Sequence, residues 1–151
     1  MPSVALSGQD TIVINSRVLQ DLVDQNVGAL SFANDVMALK TGKNGNSLYA
    51  LNTTGYQADL VLRVVRGSDD DKFLLGLYNQ QQNNFPAFVL MAGSFVKQLG
   101  DGAGNITYDT YTCIGGMFKK AQAVTSNPEG NTEQSVTVYE MKFSNTARAL
   151  G

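Results

Sequence analysis

Ala58-Asp59-Leu60-Val61-Leu62-Arg63-Val64-Val65-Arg66-Gly67-Ser68-Asp69-Asp70-Asp71 contains a strand, a stop and a helix start. Ala58, Leu60, Leu62 and Val64 fall on one face of an extended chain, and Asp59, Val61, Arg63 and Val65 on the other. This period of two predicts a strand with one face in a core. Gly67 ends it. Ser68 is a good N-cap, and the three aspartates place negative charge at the positive end of the helix dipole. Phe73, Leu74, Leu77 and Tyr78 then form an apolar flank at helical spacing. The polar run Gln80 to Asn84 frays the helix, and Pro86 prevents its continuation.

Working outward, the rest reads as β. Thr11 to Leu19 predicts a strand with Ile12 and Ile14 inward. Leu19 to Asn26 is compatible with a short helix or with further strand, and strand is preferred. Val27 to Phe32 follows as a strand with Leu30 and Phe32 inward. Ala87 to Val96 is apolar on both faces, as in a strand covered on both sides. Gly100 to Asn105 is a turn, and Ile106 to Ile114 a strand that Gly115-Gly116 breaks. Met117 to Thr125 is the next strand, and Ser126 to Asn131 a loop. Ser135 to Phe143 is the last strand, with a phase change between Val138 and Tyr139. The tail Asn145 to Gly151 is expected to be loose. The fold expectation is therefore mainly β: two packed antiparallel sheets, a sandwich or half-barrel, with one flanking α-helix. No repeat or linker divides residues 1–151, so one domain is expected.

Thr41 to Gln57 reads as a long loop rich in glycine and asparagine, and long loops without their own structure are often functional. Leu48, Tyr49, Leu51 and Tyr56 stand out within it, and with Lys43 and Asn44 they are the candidate inter-subunit residues of the loop. A solvated loop does not need four large apolar side chains. Either they fold back on their own core or they dock into a neighbouring subunit.

Composition excludes much chemistry. The 151 residues include no histidine and a single cysteine, Cys113. This removes the imidazole base, the Ser-His-Asp triad, His-ligated metals and thiolate clusters. Charged residues make up 16% of the chain, against about 25% in ordinary domains. Such a surface is cheap to desolvate against a partner, which favours self-association. The net charge of −2 gives no field for holding DNA. No apolar run reaches the ~20 residues of a membrane span. Met1 to Leu6 has neither a basic region nor a long apolar stretch, so synthesis and folding in a cytosol are expected.

Local motifs yield no catalytic, cofactor or metal site. The Gly100 to Gly104 cluster lacks a phosphate-loop ending and precedes a strand. Asp101, Asn105 and Asp109 lack the acidic spacing of a calcium loop. Asp69, Asp70 and Asp71 point in different directions on a helix and are explained by its electrostatics. Asp59, Asp109 and Glu140 lie on strands with nothing to bring them together. Cys113 has no base beside it. Lys119 and Lys120 are adjacent, so on a strand they face opposite ways. Asn52-Thr53-Thr54 and Asn105-Ile106-Thr107 are read as loop chemistry.

The order of short strands, the polar loop Thr41 to Gln57, strand Ala58 to Arg66, helix Ser68 to Gln82 and a closing Ser135-Val-Thr-Val-Tyr-Glu-Met-Lys-Phe143 is similar to the inner tail-tube proteins of contractile-tailed bacteriophages. It also resembles their relatives in contractile injection machines. Gln9-Asp-Thr-Ile-Val-Ile-Asn15 resembles wording found in short phage structural proteins. The resemblance implies a virion tail protein without catalytic activity or cofactor, made in the host cytoplasm. It implies hexameric rings that stack into a tube, a surrounding tail sheath protein, and transient, non-specific passage of DNA during ejection. Alternatives are a tail terminator, a capsid cement protein, or a carbohydrate-binding β-sandwich using Tyr49, Tyr56 or Tyr111.

Overall fold

The computed structural model describes residues 5–20, 22, 28–124, 126 and 132–150. Its elements are β1 (Ala5–Ile14), β2 (Arg17–Val18), β3 (Gly28–Ser31), β4 (Met37–Thr41), β5 (Ser47–Leu51), β6 (Ala58–Val65), α1 (Asp69–Asn83), β7 (Met91–Gly100), β8 (Ile106–Phe118), β9 (Ala123–Val124) and β10 (Val136–Leu150). An eight-stranded sheet runs β2-β1-β7-β8-β10-β6-β3, with β9 added on β10, and β4-β5 is a separate two-stranded sheet. All pairs are antiparallel. The expected class is therefore observed: mainly β, two antiparallel sheets and one helix. The sheets are very unequal, and the large one is not closed into a barrel.

Strand β6 behaves as its alternation requires. Ala58, Leu60, Leu62 and Val64 are buried, and they join Ile12, Ile14, Leu74, Met91, Tyr139, Met141 and Phe143 in one core. Burying each large aliphatic side chain contributes roughly 1.5–3 kcal/mol. The sheet curls over this core. Gly28 on β3, at one end of the strand order, faces Ile12 on β1 and Phe95 on β7 near the other end. A β-carbon at Gly28 would stand 3.1 Å from Ile12 Cδ1 and 3.3 Å from Phe95 Cε2, so this closure needs a small residue.

Helix α1 starts at Ser68, whose Oγ accepts from the Asp71 amide at 3.2 Å. The aspartates do more than complement the dipole. Asp70 is buried, pairs with Arg17 Nε at 3.1 Å and accepts from the Gln20 amide at 2.6 Å. Arg17 also lies over the Phe73 ring. Asp71 accepts from the Tyr139 and Thr137 hydroxyls and from the Gly67 amide. At the other end, buried Gln81 accepts from the Phe118 amide at 2.8 Å and donates to the Phe118 carbonyl at 3.1 Å. The helix is thus tied to β2, β10 and β8.

Several boundaries differ from the sequence reading. Thr11 to Leu19 is not one strand: Asn15 and Ser16 take positive φ (49° and 68°) and turn β1 back into β2. Phe32 is exposed rather than inward, beyond the end of β3. Phe88 to Leu90 are not in a strand. A 3-10 turn at Phe85–Ala87 displaces them, and β7 begins only at Met91. Most of Leu19 to Asn26, and Ser126 to Asn131 apart from Ser126, lie outside the described residues.

Gly115-Gly116 does not break β8. Between the pairs Met91–Gly116 and Gly93–Cys113 the register shifts by one, so β8 carries a bulge, with Gly115 at φ 68°. The buried faces of β8 and β10 change phase together here. Buried Phe118 and Gly116 give way to Cys113, and buried Tyr139, Met141 and Phe143 give way to Thr146. The phase change expected within Ser135 to Phe143 therefore falls just after it. Thr137 is the buried member that an apolar count overlooks. Met117 and Phe118 belong to β8, so the strand expected from Met117 shrinks to β9. The tail is not loose: β10 pairs with β8 as far as Leu150–Asp109.

A candidate assembly surface

The segment read as a loop is a β-hairpin with a 3-10 turn at its base. Strand β4 begins before the predicted segment, at Met37, and pairs with β5 from Met37–Leu51 to Thr41–Ser47. The glycine-asparagine run is confined to its tip. There the Gly42 amide donates to the Asn46 carbonyl at 2.7 Å, the Gly45 amide to the Gly42 carbonyl at 3.0 Å, and Gly45 takes φ 83°. Lys43 and Asn44 form the exposed turn.

The base is held firmly. The Asn52 amide donates to the Val36 carbonyl at 2.9 Å, and the Asn52 side chain accepts from the Thr54 amide and hydroxyl. Asn34 Nδ2 donates to the Thr54 carbonyl at 3.2 Å. Gly55 is buried so closely under Val36 that a β-carbon would lie 2.7 Å from its Cα. The 3-10 turn Thr53–Tyr56 contacts β10, so the hairpin projects from the body on a fixed footing.

Every residue of β4 and β5 is exposed. Register divides the side chains. Met37, Leu39, Tyr49 and Leu51 pair across the strands on one face, whereas Leu48 shares the other with Lys40, Ala38 and Ala50. Tyr49 and Leu51 are 67% and 69% exposed, and Leu48 66%. The alternative that these side chains return to their own core therefore does not hold. Tyr56, on the 3-10 turn, is also exposed. Sequence reasoning grouped Leu48 with Tyr49 and Leu51 and missed Met37 and Leu39. The signal was there: Met37-Ala38-Leu39-Lys40 alternates.

A second apolar patch follows the helix. Phe85, Val89 and Leu90 are exposed, Val89 by 84%, whereas Phe88 between them packs on the core. In contrast, the helix flank faces inward. Leu74 is buried, Phe73, Leu77 and Tyr78 pack against the core, and Tyr78 meets the Phe118 ring edge-on at 5.8 Å.

The other candidate residues take structural roles. Asp101 accepts from the Ala103 and Asn105 amides and from Asn105 Nδ2, bonds that hold its carboxyl below the usual range and close the β7–β8 turn. Asp109 is bound to Arg148 through two bonds of 2.8 and 2.9 Å; this pairing lowers its pKa and raises that of Arg148. Asp59 and Glu140 pair separately, with Lys119 at 3.9 Å and Lys120 at 3.6 Å. Cys113 is buried, and burial raises its thiol pKa. Among the described residues, no helix is long and apolar enough to cross a membrane.

No protein-family model matches the chain, and no curated protein matches it. Solved structures do. The fold is similar to a chain of the PVC extracellular contractile injection system sheath/tube terminator in the extended state. Identity is 12%, 94% of each chain is covered, and the TM-score is 0.66. It is also similar to the tube-terminating cap of the anti-feeding prophage (6% identity, 94% of this chain and 88% of that one, TM-score 0.63). A third match is a chain of the PVC sheath-tube complex in the extended state (11% identity, 95% and 88% covered, TM-score 0.60). At these identities the likeness establishes a shared fold.

Proposed function

We propose that this chain is a structural, ring-forming subunit of a contractile tail or contractile injection machine, placed at the end of the tube as a terminator. The observation that carries this is the near-complete overlap of its fold with the PVC sheath/tube terminator, 94% of both chains. The likeness to the anti-feeding prophage cap supports the same position. The exposed apolar hairpin supports self-assembly, because an isolated two-stranded ribbon is marginally stable in water and gains from a covering surface. Sheet edges support it too: among the described residues β2 and β3 end the large sheet, and an edge strand offers its backbone groups to another chain.

In this reading hexameric rings sit on the tube, within reach of the sheath, in the virion or particle tail. Lys43, Asn44, Leu48, Tyr49, Leu51 and Tyr56 belong to the contact between subunits. The channel passes its cargo, DNA in a phage, without holding it, in keeping with the net charge of −2. The second reading is the repeating tube subunit, favoured by the likeness to a sheath-tube chain. A sugar-binding role for Tyr111 is disfavoured, because Arg148 already lies 5.4 Å above its ring centroid.

Negative-stain imaging of the purified protein, alone and mixed with the tube protein of its own machine, tests the proposal. Discrete rings that cap tube ends are expected. Long tubes grown from this chain alone would transfer it to the tube-subunit reading. Dispersed monomers at high concentration, with bare tube ends, would overturn both.

A further inference from the structure

We propose that the contact between copies is head-to-tail: the Met37–Leu39–Tyr49–Leu51 face of one hairpin seats on the Phe85–Leu90 segment of a second copy. This rests on the ring-forming reading and specifies its interface.

Among the described residues both surfaces are exposed, and they are chemically alike. The hairpin face carries no charge, since Lys40 lies on the opposite face with Leu48. No charged residue occurs at positions 73–96, so the acceptor segment brings no ion to desolvate. The four hairpin residues are between 44% and 69% exposed. At these exposures, one aromatic and three large aliphatic side chains offer roughly 400–500 Å², about half the ~800 Å² each partner gives a standard interface.

Both surfaces are also pre-organised, which lowers the ordering cost of binding. The strand ladder and the Asn52 cap fix the hairpin. The acceptor is fixed by its 3-10 turn, by Pro86 and by Phe88, half-buried against the core.

Hairpin-to-hairpin pairing would leave Phe85, Val89 and Leu90 in water. Head-to-tail pairing covers both patches, and because the patches differ it repeats from copy to copy. Such a contact closes into a ring, or continues as a helix, according to its rotation.

Two variants test this, Tyr49→Asp on the hairpin and Val89→Asp on the acceptor. Both sites are exposed, so each variant is expected to keep the parent's circular dichroism and, at concentrations where the parent is also dissociated, its melting temperature. Each alone is expected to lower the assembled fraction about tenfold or more by light scattering. Mixed in equal amounts, they retain one intact junction, between the Val89→Asp hairpin and the Tyr49→Asp acceptor. A discrete heterodimer with no larger species is expected. If Val89→Asp assembles like the parent, or if mixing restores nothing, the head-to-tail contact is wrong while parental rings still support the proposed function. If the parent itself never associates, both fall.

Discussion

The Tyr139 hydroxyl donates to Asp71 Oδ1 at 2.5 Å, joining the middle of β10 to the first turn of α1. Tyr139 is 1% exposed, so the bond is made where water competes poorly. Tyr139→Phe keeps the ring and removes the donor. The expected loss is ~1.5–3 kcal/mol, the range for hydrogen bonds to charged groups, read as a lower urea midpoint at unchanged slope.

The same pair sets an alkaline limit. Burial first, and then the bond to Asp71 and its charge, push the Tyr139 pKa well above its ordinary value of 10.0. A raised pKa means that the unfolded chain ionises first. The stabilisation is complete below pH ~10 and is lost as pH rises towards the folded-state value. Denaturant midpoints should fall between pH 10 and 11.5 in the parent, and less steeply in Tyr139→Phe.

Arg148 and Asp109 clamp the end of β10 to β8. The hydrogen bond from Arg148 holds the Asp109 pKa below 3.8. A depressed carboxyl pKa contributes above the unfolded value and is lost as pH falls through the folded one, so the clamp is complete at neutral pH. Asp109→Asn should open it there. Amide exchange at Ala147 to Leu150 is expected to quicken severalfold at pH 7, with little change at Tyr139 or Met141.

Phe143 covers Gly116 so closely that a β-carbon on the glycine would overlap its ring. Gly116→Ala should cost ~1–3 kcal/mol by overpacking, measured as a lower melting temperature. Adding Phe143→Leu should recover part of the loss, since the clash is with the ring.

The hairpin should be separable from the fold. Replacing residues 38–50 with an Asn-Gly turn keeps the Val36–Asn52 bond and the 3-10 turn. Compared at concentrations where both are dissociated, stability should stay within about 0.5 kcal/mol of the parent, as for surface changes. Ring formation by size exclusion with light scattering should disappear.

Strand β6 and helix α1 were legible because their signals are local: alternation, a stop glycine, a serine cap and an apolar flank. Elsewhere the deciding partner lay far along the chain. Gly115-Gly116 reads as a break until β7 and β10 are placed beside it, where it becomes a bulge under Phe143. Residues 145–150 carry one large apolar side chain, Leu150, and no alternation to mark a strand, yet β8 pairs with them throughout. Phe88-Val89-Leu90 reads as buried strand because three apolar residues adjoin, although only Phe88 reaches the core. The hairpin reads as a loop because its glycines and asparagines sit at the tip and half of its apolar face, Met37 and Leu39, precedes them. The sequence did single out Tyr49 and Leu51, but not the surface they complete.

The seclusion of Cys113 has a practical side. The residue is 2% exposed, and burial raises its thiol pKa, so maleimide dyes and spin labels should pass it by. With no second native thiol in the chain, one cysteine engineered onto the hairpin tip becomes a unique handle. Distances between neighbouring copies can then be followed as a particle is built, without first stripping the background.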